Sequence, residues 1–149
     1  MIKRMTTTGL FVAFFFFTAT TITAAQNNHA ATLFKEQINK MVQKVEKADT
    51  PKKKREILNT SFDKLLTAFE KVKDMKTLSK ADQAALHKLA LNITQKRNEL
   101  NGLAGFKRVE NSQLNNFAHF VQQDLEQADS TVTISVTVLL LIIIILLLL

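Results

Sequence analysis

Apolar residues are distributed along this 149-residue chain in two different ways. Between residues 32 and 128 they return every three or four positions, the spacing that gathers them on one face of an α-helix. At the two ends they run together instead. The interior resolves into four stripes. Phe34, Ile38, Met41, Val42, Val45 and Ala48 predict a first helix over about 32–48. Leu58, Phe62, Leu65, Phe69, Val72 and Met75 predict a second, reaching about residue 76, whose near-heptad repeat would also suit an extended two-helix coiled coil. Leu86, Leu89, Ile93 and Leu100 mark a third helix. Leu114, Phe117, Val121, Leu125 and Ala128 mark a fourth, starting near Asn111 or Ser112.

The residues between the stripes are those that end and start helices. Asp49-Thr50-Pro51 breaks the first from the second, with Thr50 suited to cap the second and Pro51 to its first position, where no amide hydrogen is needed. Ser79 followed by Asp82 has the spacing of a capping pair for the third. Asn101-Gly102 closes it, glycine being the usual residue where the chain turns left-handed. The linker 103–109 holds Gly105 with the apolar Leu103, Phe106 and Val109, and is expected to fold back over the bundle end. Short connections between amphipathic helices predict an all-α fold, a small antiparallel helical bundle of about four helices.

Residues 131–149 (TVTISVTVLLLIIIILLLL) carry no charge. As a helix, 132–149 would span about 27 Å, close to the ~30 Å hydrocarbon core of a bilayer. The alternation of Thr131, Thr133, Ser135 and Thr137 with Val132, Ile134, Val136 and Val138 has the period of a strand. A lone strand in lipid would leave its backbone unpaired, whereas in a helix the hydroxyls can bond back to carbonyls one turn earlier. No proline or glycine separates the fourth stripe from this tail. One continuous or gently bent helix is therefore expected from about residue 112 into a C-terminal transmembrane helix.

At the other end, Lys3 and Arg4 precede the apolar run 9–17 and a small, hydroxyl-rich stretch ending Thr23-Ala24-Ala25. That order resembles a secretory signal peptide, with cleavage expected after Ala25. An uncleaved N-terminal anchor is the alternative. The organisation read from the sequence is thus a signal peptide over 1–25, an exported helical bundle domain over 26–130 and a membrane anchor over 131–149.

Charge adds an orientation. The chain has 20 Lys and Arg against 13 Asp and Glu, a net +7. The surplus lies ahead of residue 111, because Asp124, Glu126 and Asp129 stand before the tail with no Lys or Arg among them. Positive residues stay on the cytoplasmic side, so the body is expected on the extracytoplasmic side, single-pass, with the C-terminus pointing inward and no output domain behind it. The absence of cysteine excludes disulfides, a lipid-modified N-terminal cysteine and covalently attached haem.

Candidate chemistry is sparse. His29, His87 and His119 are far apart, and His119 stands two residues from both Phe117 and Val121, opposite the buried stripe, which argues against a core haem shared with Met41. No Glu-x-x-His pair or Gly-x-Ser-x-Gly turn occurs, and Gly9, Gly102 and Gly105 do not make a phosphate-cradling loop. Asp63, Glu70 and Asp74 lie among lysines, as surface pairs do. No enzyme activity, metal or cofactor is expected.

The densest feature is Lys52, Lys53, Lys54 and Arg55, directly after Pro51. Four cations in the first turn oppose the helix dipole, so local helix stability does not account for them. They are a candidate contact for an anionic partner, such as a phosphorylated lipid, an acidic polymer or nucleic acid, with a solvated helix end as the plain alternative. With no Trp or Tyr, and Phe mostly on buried stripes, surfaces for stacking bases are poorly supplied, and no specific nucleic acid is expected.

The layout of the two ends resembles that of precursors of glycolipid (GPI)-anchored proteins. That resemblance implies Ala128-Asp129-Ser130 as attachment site, 131–137 as spacer and 138–149 as the removed tail. A permanent anchor is the other possibility. The expected function is a non-enzymatic, membrane-anchored helical interaction or structural module of the cell envelope, meeting the bilayer and an anionic lipid, polymer or envelope protein. The alternative is a sensor or accessory subunit acting on another membrane protein through its membrane helix.

Overall fold

The computed structural model describes the backbone of residues 22–75, 78–131 and 134–149, with side chains from residue 29 onward except 128–131. The signal-like segment up to residue 21 and the junction at 132–133 lie outside the described residues. The described chain is helical, with no strand: α1 (Ile22–Lys47), α2 (Pro51–Lys73), α3 (Lys80–Asn101), a 3-10 turn (Asn111–Gln113), α4 (Leu114–Thr131) and α5 (Val136–Leu148). The point expected for cleavage, after Ala25, falls in the first turn of α1.

The expected caps form. Thr50 is extended and its hydroxyl accepts from the Lys53 N–H at 3.2 Å, with Pro51 opening α2. The Ser79 hydroxyl accepts from the Asp82 N–H at 3.0 Å and donates to the Asp82 carboxylate at 2.8 Å. Gly102 takes φ +71° and closes α3, its N–H directed at the Asn98 and Glu99 carbonyls. Each cap satisfies backbone groups that a helix end leaves orphaned.

The central element is α2, which packs against each of the other four helices. Leu58, Phe62, Phe69 and Val72 are sealed in its core face. Cross-helix pairs fix the directions. Asp63 meets Arg97 and Asn59 meets Asn101, so α2 and α3 are antiparallel. Asn39 meets Gln122 and Glu46 meets His119, so α1 and α4 are antiparallel too. Between α3 and α4 the tie is polar: buried Lys96 reaches Asp124 at 2.8 Å and Glu99 at 3.5 Å, under the Phe120 ring at 4.0 Å.

The tail departs from the continuous helix expected of it. The backbone leaves α4 at Thr131 and restarts at Val136, with Ser135 extended at the N-cap and its hydroxyl accepting from the Val138 N–H. Ser is a strong cap and its β-branched neighbours lose side-chain freedom in a helix, which favours a break here. Asp82 then fixes it, accepting from the Ser135 N–H at 2.8 Å. Past the break α5 packs on α1 and α2, burying Val138, Leu139, Ile142 and Ile143 in the common core. Among the described residues, no helix is long and apolar enough to cross a membrane.

Two outcomes follow. Phe69→Ala is expected to cost about 3–5 kcal/mol in denaturant unfolding, the range for emptying a phenylalanine site; a loss below about 1 kcal/mol would mean that α2 does not seal the core. Burial raises the Asp82 pKa, but the bonds from Ser135 and Ser79 outweigh it and leave the carboxyl below its usual value. A depressed pKa gives stability that is present above the unfolded value, near pH 4, and lost as pH falls through the lower folded value. The stability gap between the natural chain and Asp82→Asn should therefore be widest at neutral pH and close as pH falls below about 4. A gap that widens on acidification contradicts this.

Candidate functional site at the basic end of the bundle

One end of the bundle gathers the start of α2, the end of α3 and the start of α4, and the run Lys52 to Arg55 lies there. The four residues do not form one surface. Lys52 is exposed and, among the described residues, makes no hydrogen bond or ion pair. Lys53 pairs with Glu56 at 3.2 Å. Lys54 is half-buried and donates to the Asn115 side-chain oxygen at 2.7 Å, tying α2 to α4. Arg55 is only 8% exposed. Its guanidinium donates to the Leu100 carbonyl, to the Val109 carbonyl at 2.8 Å and to the Asn111 side-chain oxygen at 3.2 Å.

That geometry explains why a cation is tolerated against the α2 dipole. Leu100 lies in the last turn of α3, where carbonyls lack helical partners, and Arg55 supplies a donor from the neighbouring helix. It also anchors the segment 102–110, whose Val109 N–H returns to the Glu99 carbonyl at 3.2 Å. The linker folds back only in part. Val109 packs against the core, while Gly102, Ala104 and Gly105, all at positive φ, turn the chain so that Leu103 and Phe106 remain exposed.

A residue that the sequence pattern did not single out completes the site. Arg108 lines an open groove of about 470 Å³ with Lys52, Arg55, Glu56, Thr60 and Asp63. Gly102 makes room for it: a side-chain carbon there would lie 2.8 Å from the Arg108 Cβ. Among the described residues Arg108 forms no hydrogen bond or ion pair. Both carboxylates of the groove are engaged outside it, Glu56 by Lys53 and Asp63 by Arg97 at 3.3 Å. Burial, and then the Arg108 charge, lower the Arg55 pKa, yet a guanidinium remains protonated at neutral pH.

The groove thus presents cationic donors, one hydroxyl (Thr60), the amides of Asn59 and Asn111 and the two paired carboxylates, with no histidine among its lining residues. The histidines lie elsewhere: His119 pairs with Glu46 at 2.9 Å on the surface, His29 and His87 are exposed, and Met41 is buried in the core.

Arg55→Met should cost about 2–4 kcal/mol, since it strands buried carbonyls, whereas Lys52→Gln should stay within about 0.5 kcal/mol. Denaturant midpoints at unchanged slope measure both, and equal effects would contradict the division of the basic run into structural and free cations. No protein-family model, curated protein or solved structure matches this chain, and the reading of its function rests on its own residues.

Proposed function

We propose that this chain is a non-enzymatic, membrane-anchored module of the cell envelope, an exported helical bundle attached through its C-terminal apolar segment. The observation that carries this reading is α5, which has no polar face. Its inner side fills the groove between α1 and α2, but Leu140, Ile144, Leu147 and Leu148 stand exposed on its outer side. The other helices turn polar residues outward. An exposed apolar ridge of this kind is the usual mark of a surface that meets lipid or protein.

As it stands, α5 has 13 residues, about 20 Å of helix. Crossing a bilayer as a transmembrane helix requires the helix to extend back through Ser135 toward α4, releasing the Asp82 bond and exchanging the α1–α2 groove for lipid. The inner face loses little by that exchange, because hydrocarbon replaces hydrocarbon. Each large residue of the outer face gains, in proportion to its exposure, a part of the roughly 1.5–3 kcal/mol that full removal of such a side chain from water is worth. The positive residues ahead of the first apolar run, and the acidic stretch before the tail, support an extracytoplasmic body.

A second reading, a sensor or accessory subunit acting through its tail, is favoured by one contact. Ser135 of the tail is bonded to Asp82 of the head, so the two are coupled in a way that a passive tether does not need.

The full chain is expected in the membrane fraction and to resist alkaline extraction, while a chain ending at residue 131 is released from membranes. Recovery of the full chain in the soluble fraction would refute membrane anchoring.

A further inference from the structure

The groove at the basic end goes beyond this reading: the site itself does not depend on it, and only the choice between two ligand sources rests on it. We infer that Arg108 and Lys52, set against the buried Arg55, form a binding site for a phosphate group.

The first support is the balance of charge. Five cations (Lys52, Lys53, Arg55, Arg97 and Arg108) face or flank the groove, against two carboxylates, Glu56 and Asp63. Lys53 and Arg97 take up those two carboxylates, so three positive charges have no negative partner at the groove. Arg55 accentuates this, because its partners are neutral oxygens: its hydrogen bonds are satisfied while its charge is not cancelled. A dianion matches that surplus better than a single carboxylate does.

The second support is construction. Like charges repel, and a flexible loop would carry Arg108 away from Arg55. Here the loop is held close by Gly102, which admits the Arg108 Cβ, by Arg55 on the Val109 carbonyl and by Val109 on the Glu99 carbonyl. The Arg108 guanidinium remains free in that position, and its planar fork is the shape that binds two phosphate oxygens at once. The Lys52 ammonium supplies a point charge beside it, and the Thr60 hydroxyl a neutral donor. The groove is open, so the phosphate can be the end of a larger molecule.

Its position separates two sources. The tail starts at the other end of the bundle, where Ser135 meets Asp82, and α5 runs back along α1 and α2 until Leu146 lies near Ser61 and Lys64. On the proposed reading, in which α5 gives up the α1–α2 groove for lipid, the membrane lies at the Ser135 end and the groove faces away from it, which fits a phosphate on a soluble or polymeric ligand more closely than a lipid headgroup.

The test uses the full chain in neutral detergent micelles at 20 mM salt, titrated calorimetrically with inorganic phosphate, pyrophosphate and succinate. Phosphate and pyrophosphate should bind, and succinate at least about fivefold more weakly. Arg108→Gln and Lys52→Gln should each weaken pyrophosphate binding about tenfold, as expected when one charge-assisted contact is lost. Arg108→Lys should restore only part of the loss, and Lys71→Gln, far along α2, should change nothing. All three positions are exposed, and unchanged helical circular dichroism verifies the fold. In a parallel arm, phosphatidic acid vesicles compete with pyrophosphate. Arg108-dependent capture by the vesicles, with no response to the free anions, supports the phosphate site and assigns it to a headgroup. Binding of succinate equal to phosphate, binding that ignores Arg108 and Lys52, or no binding to any of these probes overturns it.

Discussion

A single buried guanidinium holds the basic end of this bundle in place. Arg55 projects from the helix that touches all the others, and its donors reach the last turn of α3, the end of the following loop and the first residue of the turn that opens α4. Withdrawing a cation from water is costly unless its hydrogen bonds are met, and here oxygens on three segments meet them. The same choice of partners leaves the charge uncancelled. Structural order and electrostatic surplus at the groove therefore have one origin.

The other end works by the opposite sign. The Asp82 carboxylate accepts from the Ser79 hydroxyl, which caps α3, and from the Ser135 N–H at the start of α5, so one carboxylate braces the α3 cap and fixes where α5 begins. Lys96, between them, joins α3 to α4 through Asp124. The apolar stripes bring the helices together, and these three buried charged residues fix how far each runs and where it turns. A bundle specified in this way can present an apolar helix on one side and a cationic groove at one end without either disturbing the core.

Much of this was legible in the sequence. The four stripes, as far as the described side chains reach, the Thr50-Pro51 start, the Ser79 and Asp82 pair and the Gly102 stop all depend on neighbours in the chain, and these are seen. Ala128 of the fourth stripe and residue 76 lie outside the described side chains. What was not legible depends on contacts distant in sequence. A run of four cations reads as a solvated face, yet Arg55 stands three residues before Leu58 and seven before Phe62, in phase with the buried stripe. Lys96 lies between Ile93 and Leu100 on the same phase, and Asp82 lies four before Leu86. That phase was the available signal for all three. Arg108 had none, because its place is set by the room that Gly102 leaves and by a loop pinned from another helix. The break at Ser135 was hidden for a similar reason: the alternating hydroxyl and β-branched residues allow it, but Asp82, far back in the chain, stabilises it.

The central claim, that Arg55 is a fixed internal tie while Arg108 is a free surface cation, is tested most directly by nitrogen-detected magnetic resonance of the arginine side chains. The Arg55 guanidinium should show separate, slowly exchanging Nη protons, held by three acceptors, and Arg108 a single averaged, fast-exchanging signal. If Arg55 exchanged and rotated as freely as Arg108, the basic end would not be organised around it.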